Sequence, residues 1–290
     1  MAQCITPIDI RNPKAEKDKR EKRFIQVPCG KCPPCIKRRV QGWMFRLKKE
    51  QEVSTSSVFL TLTYDDSYLP FSDNGLMTLD KRDHQLFMKK LRKHLSVYHQ
   101  KYSYVDSIPL KYYAIGEYGD NTHRPHFHYI LFNLPDRLIV DESIITSIWD
   151  KGLVQVAICN DNTIAYVTGY VNKKIYADKK VGIDPDDDRI PECSMMSKGL
   201  GKNFLTKRTM KFYNELMAPY IVQENGQKVP MPRYFRHKIY TEAQRLIVNQ
   251  KAKEYIENNE QYRDTKHEIE HKSHIINQFK RQQKLKHKSI

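Results

Sequence analysis

The stretch HRPHFHYILF, residues 123–132, places two histidines one pleat apart at the head of an apolar run. Side chains alternate along a strand, so His126 and His128 share one face and Phe127 takes the other. Pro125 stands just before the run, where a missing N–H costs little. Imidazoles at the start of a buried strand need a task. The flanks supply the rest of a sheet. VFLTLTY (58–64) alternates, with Val58, Leu60 and Leu62 on one face and Phe59, Thr61 and Thr63 on the other. KYYAIGEYG (111–119) is a second strand, joined to the histidine strand by the turn-rich GDNTHRP, and LVQVAIC (153–159) is a fourth. LDKRDHQLFMKKLRKHL (79–95) reads as a helix with Asp80 as N-cap and Phe87, Leu91 and Leu95 on one face. ESIITSIWDKG (142–152) reads as a short helix stopped by Gly152. The order β-α-β-β-α-β predicts an α+β fold of ferredoxin-like, split βαβ topology. An antiparallel sheet carries helices on one face and leaves the other for an active site.

The chain has 290 residues and a formal charge of +16, from 50 Lys and Arg against 34 Asp and Glu. Excess positive charge together with 18 tyrosines suits a polyanion whose bases stack on planar rings. A solvated basic surface is the plainer reading of the same composition. No run of 18 apolar residues exists, so no membrane span is expected. MAQCITPIDIRNPK at the N-terminus lacks an apolar signal core, which points to the cytoplasm. There, six cysteines read as free thiols or metal ligands rather than a disulfide scaffold. Three regions follow: a basic, cysteine-bearing segment over 1–50, a catalytic domain over 51–205, and a helical, basic tail over 206–290. Residues 181–240 show no clean period. The chain reads as helical beyond Thr241 and ends in FKRQQKLKHKSI.

In this topology the second and third strands form a hairpin, which sets Glu117 across from the histidine end. Two imidazoles and a carboxylate, with the remaining positions left to water or substrate, suit Mg²⁺ or Mn²⁺ when the substrate is a phosphate. The alternative is one hydrogen-bonded core histidine and one exposed histidine. A helix is expected over NTIAYVTGYVNKKIY (162–176), capped by Asn162. At about 100° per residue, Tyr166, Tyr170 and Lys173 fall within an arc of roughly 60°. Ile164, Val167, Val171 and Ile175 occupy a different arc, the core face. The alternative keeps the tyrosines as an amphipathic boundary. Gly169 leaves room for a nucleic-acid backbone. A metal at the histidines can polarise a phosphodiester, and a tyrosine hydroxyl can attack it to form a phosphotyrosine. Lys173, one turn from Tyr170, can supply positive charge. Candidate DNA contacts are Thr61, Thr63, His123, Arg124, Arg38 and Arg39; Arg38 and Arg39 fit a half-buried helix equally well.

Cys29, Cys32 and Cys35 form C-x₂-C-x₂-C, and Cys4 is available as a fourth ligand. A structural zinc, a reduced thiol cluster and a redox role all fit these residues. Cys159 and Cys193 read as ordinary thiols.

HFH matches the His-hydrophobic-His motif of the HUH endonucleases, and YVTGYVNKK resembles their two-tyrosine motif, Tyr-x-x-x-Tyr-x-x-Lys. FLTLTY resembles the first motif of that superfamily. GEYGDNTHRPHFHYILF and PCGKCPPC resemble the replication initiators of microviruses, single-stranded DNA phages of the gokushovirus type. The resemblance covers most of residues 24–205, including SKGLGKNFL. It implies rolling-circle initiation: nicking of an origin, covalent 5′ attachment, a free 3′-OH for priming, and later rejoining. By position it makes His126, His128 and Glu117 metal ligands, Tyr166 and Tyr170 nucleophiles, and Lys173 their accompanying lysine. It implies single-stranded and supercoiled origin DNA, a host helicase and polymerase as partners, no small-molecule substrate, and a host cytoplasm for a phage-encoded chain. A transposase or mobilisation relaxase shares this chemistry, and a non-catalytic DNA-binding regulator could keep the fold.

The basic tail generates a first prediction. Deleting residues 280–290 should make the slope of log affinity against log salt shallower, by about 0.7 per lost phosphate contact on single strands. A salt titration of single-strand binding by fluorescence anisotropy measures it, and an unchanged slope removes the tail from the interface.

Overall fold

The computed structural model describes residues 4–12, 23–101, 108–176, 186–224, 226–260, 273 and 277. The basic stretch 13–22 and the tail 280–290 lie outside the described residues. In chain order the strands are β1 (Ile8–Arg11), β2 (Phe24–Val27), β3 (Ser57–Thr63), β4 (Lys111–Tyr118), β5 (Pro125–Phe132), β6 (Val154–Ile158), β7 (Cys193–Met196), β8 (Tyr220–Val222) and β9 (Lys228–Pro230). The helices are α1 (Pro33–Gln51), α2 (Lys81–Lys101), α3 (Asp136–Val140), α4 (Glu142–Trp149), α5 (Asp161–Tyr176), α6 (Lys207–Leu216), α7 (Arg233–Ile239) and α8 (Glu242–Glu260). They form two compact units, residues 44–204 and residues 1–43 with 205–290.

The 44–204 unit is built on a five-stranded sheet in the order β6-β3-β5-β4-β7. All neighbours are antiparallel. The expected β-α-β-β-α-β run gives β6-β3-β5-β4, the ferredoxin-like order, and β7 extends the β4 edge. The alternation read in β3 is the physical cause of its placement: Val58, Leu60 and Leu62 are buried in the core. They pack with Phe87, Met88, Leu91 and Leu95 of α2 and with Ile145, Ile148 and Trp149 of α4. Each such side chain contributes about 1.5–3 kcal/mol when fully buried. Trp149 also donates its indole N–H to the Thr63 carbonyl at 2.8 Å, tying α4 to the end of β3. The opposite face carries Glu117, His126 and His128, and α5 lies against it.

Local signals set the helix ends. Asp80 accepts the Arg82 N–H at 2.6 Å and caps α2 as expected, and the helix runs on to Lys101. α4 stops at Asp150, left-handed at φ 53°, and not at Gly152. Aspartate tolerates this conformation better than most residues, so the stop comes two residues early. Asn160, not Asn162, caps α5. Its side chain accepts the N–H groups of Asn162 at 2.9 Å and Thr163 at 3.0 Å, while Thr163 Oγ1 accepts the Asn160 N–H at 2.8 Å. The cap must precede the first helical residue, and that is Asp161.

The other unit contains the β1–β2 hairpin, the β8–β9 hairpin, α6, α7 and α8. The aperiodic 181–240 region thus holds short elements, each too brief to show a period. α8 is the helix expected beyond Thr241. Tyr240 fastens this part of the chain by donating its buried hydroxyl to the carbonyls of Ala218 at 2.8 Å and Tyr213 at 3.2 Å. Among the described residues no helix is long and apolar enough to cross a membrane.

Gly152 has a packing role instead. A Cβ there would lie 2.4 Å from the Thr63 carbonyl oxygen and 2.7 Å from the Asp65 nitrogen. Both are backbone atoms in the segment that leads out of β3. Gly152→Ala should therefore destabilise the protein by roughly 2–4 kcal/mol, from overpacking together with backbone strain. Urea unfolding measures the loss, and a change within about 0.5 kcal/mol, the usual scatter of neutral surface substitutions, would refute it.

Candidate active site

Strand pairing assembles the site. β4 on β5 sets Glu117 opposite His126, and β3 on β5 sets Thr61 opposite His128 and Thr63 opposite His126. Oε1 of Glu117 lies 2.7 Å from His126 Nε2 and 3.1 Å from His128 Nε2. Glu117 and His128 are buried, and His126 is half-buried. Burial by itself would raise the Glu117 carboxyl. The hydrogen bonds and positive charge of His126 and His128 outweigh it and hold the group below its ordinary value.

The outer nitrogens determine what the inner ones can do. His126 Nδ1 lies 3.1 Å from the Arg124 carbonyl oxygen, which only accepts, so Nδ1 carries the proton. A neutral His126 then turns a bare Nε2 toward a carboxylate oxygen. Two lone pairs at 2.7 Å repel unless the ring is protonated or a cation lies between them. His128 Nδ1 bonds Thr61 Oγ1 at 2.9 Å, which a protonated Nδ1 satisfies in the same way. The second Glu117 oxygen, Oε2, is buried with no hydrogen-bond partner among the described residues. One atom from each of the three residues lies within 4.8 Å of the others. This set fits a divalent cation: two neutral imidazoles oriented by outer hydrogen bonds, and a carboxylate with an unused oxygen.

Tyr166, on α5, stands beside the histidines. Its ring meets His128 edge-on, with centroids 5.4 Å apart, and meets Phe59 the same way at 6.1 Å. Phe59 in turn stacks on His128 at 5.3 Å. Tyr166 keeps 45% of its surface exposed, while Ile164, Val167 and Thr168 are buried and seat the helix. Tyr170 and Lys173 belong to α5 further along, but their side chains lie outside the described residues, as do those of Val171 and Ile175. A Cβ on Gly169 would meet nothing within 4 Å, so that turn of the helix is open.

The other sequence candidates fall elsewhere. Thr61 is a histidine partner, and Thr63 points its hydroxyl at the Leu153 carbonyl at 3.4 Å. Arg124 donates to Asp66 Oδ1 at 2.6 Å and to the Tyr64 carbonyl at 2.7 Å, bracing the loop before β5. His123 is exposed, in left-handed backbone at φ 55°. Arg38 and Arg39 sit on α1 in the 1–43 unit, one half-buried and one exposed. Phe59 and the Arg124 carbonyl were missed by sequence reasoning. Phe59 was legible as a neighbour of the histidine face from β3 alternation, whereas a carbonyl leaves no trace in a sequence.

Cys4, Cys29, Cys32 and Cys35 come together, with sulfurs within 4.8 Å of one another. Burial works to raise the Cys29 thiol, but bonds from the Thr6 hydroxyl and the Lys31 and Cys32 N–H groups bring it down to about 6. Cys35, more deeply buried, is pushed up to about 12. Cys159 is buried and Cys193 half-buried, both as free thiols.

A family model of replication-associated proteins, of the ORF2 type, matches residues 57–175. The chain is 30% identical over 235 residues to the replication-associated protein VP4 of Bdellovibrio phage phiMH2K, covering 77% of this chain and 70% of that protein. It is 27% identical over 231 residues to the replication-associated protein ORF2 of Spiroplasma virus 4, covering 75% and 69%. It is also 27% identical over 229 residues to the replication-associated protein ORF4 of Chlamydia phage 1, covering 72% and 52%. No solved structure matches the chain.

Thr61→Val removes the acceptor for His128 Nδ1 while keeping a β-branched side chain for the strand. It should weaken Mn²⁺ binding by about 10–100-fold, the usual cost of losing a group that orients a metal ligand. Calorimetric titration with Mn²⁺ reads it directly. Affinity equal to wild type would mean that Thr61 does not set the His128 tautomer.

Proposed function

Because this chain belongs to the family of phage replication-associated proteins, we propose that it initiates rolling-circle replication by nicking single-stranded origin DNA and joining itself to the 5′ end through a tyrosine. The observation that carries this reading is the adjacency of two parts. Glu117, His126 and His128 converge on one sheet face, and Tyr166 packs against the ring of His128. A divalent cation held by these three residues, Mg²⁺ or Mn²⁺, would supply a Lewis acid for a phosphodiester oxygen.

The remaining chemistry belongs to the chain. The hydroxyl of a tyrosine on α5 attacks phosphorus, and an O–P bond to the tyrosine forms as the bond to the 3′ oxygen breaks. The tyrosine gives up its proton and the departing 3′ oxygen gains one, leaving a 3′-OH that can prime synthesis. One phosphodiester replaces another, so the bond energy is retained and the step can run backwards to rejoin ends. Water in the same place would only cut. Tyr170 follows Tyr166 by four residues, about 6 Å along a helix, so a second tyrosine is available while the first is occupied. Lys173 is assigned the balancing positive charge from its spacing in Tyr-x-x-Lys. The same spacing makes Tyr170 the first nucleophile and Tyr166 the one that ends the cycle.

The test uses an origin oligonucleotide with Mn²⁺ and denaturing gels that retain covalent adducts. Tyr170→Phe removes one hydroxyl and should lose most initial nicking, whereas Tyr166→Phe should nick once and fail to circularise. The double variant should form no adduct; an adduct in it would move the nucleophile elsewhere. His126→Ala with His128→Ala should abolish cleavage and largely keep DNA affinity, which comes mainly from phosphate contacts. Full cleavage there would overturn the metal assignment.

A further inference from the structure

We propose that Cys4, Cys29, Cys32 and Cys35 bind one structural zinc ion that clasps the base of the β1–β2 hairpin to the start of α1. The geometry is that of a tetrahedral site. With Zn–S bonds of about 2.3 Å, the sulfurs of a tetrahedron stand about 3.8 Å apart. Cys32 Sγ lies 3.7 Å from Cys4 Sγ, and no pair in the set exceeds 4.8 Å. An iron–sulfur cluster would interpose sulfide and several irons, spreading the ligand sulfurs further. Four thiolates fill the coordination sphere and leave no open position, which marks a structural centre rather than a catalytic one. Soft sulfur also separates this site from the harder carboxylate and imidazole set at Glu117.

The backbone is turned toward the sulfurs as well. Lys31 and Cys32 donate their N–H groups to Cys29 Sγ at 3.4 and 3.3 Å, and Cys29 donates its own to Cys4 Sγ at 3.3 Å. Gly30, at φ 73°, makes the tight turn that allows this. These donors, together with the N-terminal end of α1, which has no acidic residue in its first turn, suit a centre of net negative charge. Binding replaces thiol protons by metal–sulfur bonds: Zn²⁺ and four thiols give a centre of charge 2− and up to four released protons.

The hairpin supplies the need. Ile8 is 50% exposed and Phe24 55%, so these strands bury little apolar surface of their own. A two-stranded ribbon is marginal in water without a core or a staple. Ile8 pairs with Val27 at its base, and Cys4 and Cys29 lie just beyond that pair. The buried cluster at this point consists of Cys32 and Cys35, with Cys4, Ile5 and Cys29 against them. Among the described residues in that cluster, sulfur rather than hydrocarbon makes up most of what can hold the segment.

The test is made on the full chain, purified under reductant and loaded with Zn²⁺ or with Co²⁺. Elemental analysis should find zinc, and Co²⁺ should give the near-ultraviolet thiolate-to-cobalt charge-transfer band. The Glu117 site has no sulfur and cannot give that band. Cys32→Ser with Cys35→Ser should lose it, and Cys159→Ser with Cys193→Ser should keep it. Wild-type protein gives a reading that needs no variant. Bound zinc should shield four of the six cysteines from alkylation in the intact mass, and a chelator should expose them. Amide exchange over 8–11 and 24–27 should then quicken by about tenfold or more. Absence of the charge-transfer band, or disulfides among these four cysteines in the reduced preparation, would overturn the proposal in favour of a thiol or redox cluster. The outcome is separate from the nicking reading, because the Tyr166→Phe, Tyr170→Phe protein should give the same band.

Discussion

A single carboxylate oxygen receives both histidines: Oε1 of Glu117 lies within hydrogen-bond reach of Nε2 of His126 and of His128. That arrangement exists only in one register of β4 on β5, because a slip of one residue turns every side chain to the other face. Glu117 would then enter the core beside Phe127. The neighbours of Glu117 resist the slip. A Cβ on Gly116 would meet the Phe127 ring at 2.9 Å, so only glycine lets that ring lie across β4. Tyr118 is buried, with its hydroxyl accepting the Leu79 N–H at 3.0 Å and donating to the Ile190 carbonyl at 2.7 Å. The loop is closed by the Gly119 N–H on the Arg124 carbonyl at 3.0 Å, and the Arg124 guanidinium braces it against Asp66 and Tyr64.

Burying a charged carboxylate costs several kcal/mol unless partners compensate. Here compensation falls on one oxygen and leaves Oε2 without a partner among the described residues. A purely structural polar cluster would be expected to satisfy both oxygens, since half-satisfied networks are the costly ones. The sheet holds the three candidate ligands rigidly, while the tyrosines ride on α5, a separate element seated by Ile164 and Val167. Ligand and nucleophile candidates therefore come from different parts of the chain. They meet because Phe59 packs against both Tyr166 and His128.

The two compact units carry different donor chemistry. The 44–204 unit gathers one oxygen and two nitrogen ligands on a well-packed sheet. The other gathers four sulfurs at the foot of a hairpin with little core of its own. Ligand softness sorts metals between such sites without any need for high selectivity at either.

Periodicity carried much of this in the sequence. Alternation in β3 and β5 and the helical faces of α2 and α4 are local, and local patterns survive into the fold because burial enforces them. The same periods set His126, His128 and Tyr166 on identifiable faces, and the turn-rich loop before β5 made Glu117 a neighbour. Helix ends were less legible. Asn160 and Asp150 won over Asn162 and Gly152, since several residues in each stretch can cap and packing selects among them. Other features depend on contacts between distant residues. Thr61 meets His128 across 67 positions, and the Arg124 carbonyl fixes a tautomer with an atom common to every residue. Cys4 reaches Cys29 across 25 residues, with the β1–β2 hairpin between them. Local pattern was enough to say which side chains share a face. Which faces meet came only from the assembled fold, because register and loop closure are set by the whole core and not by any one segment.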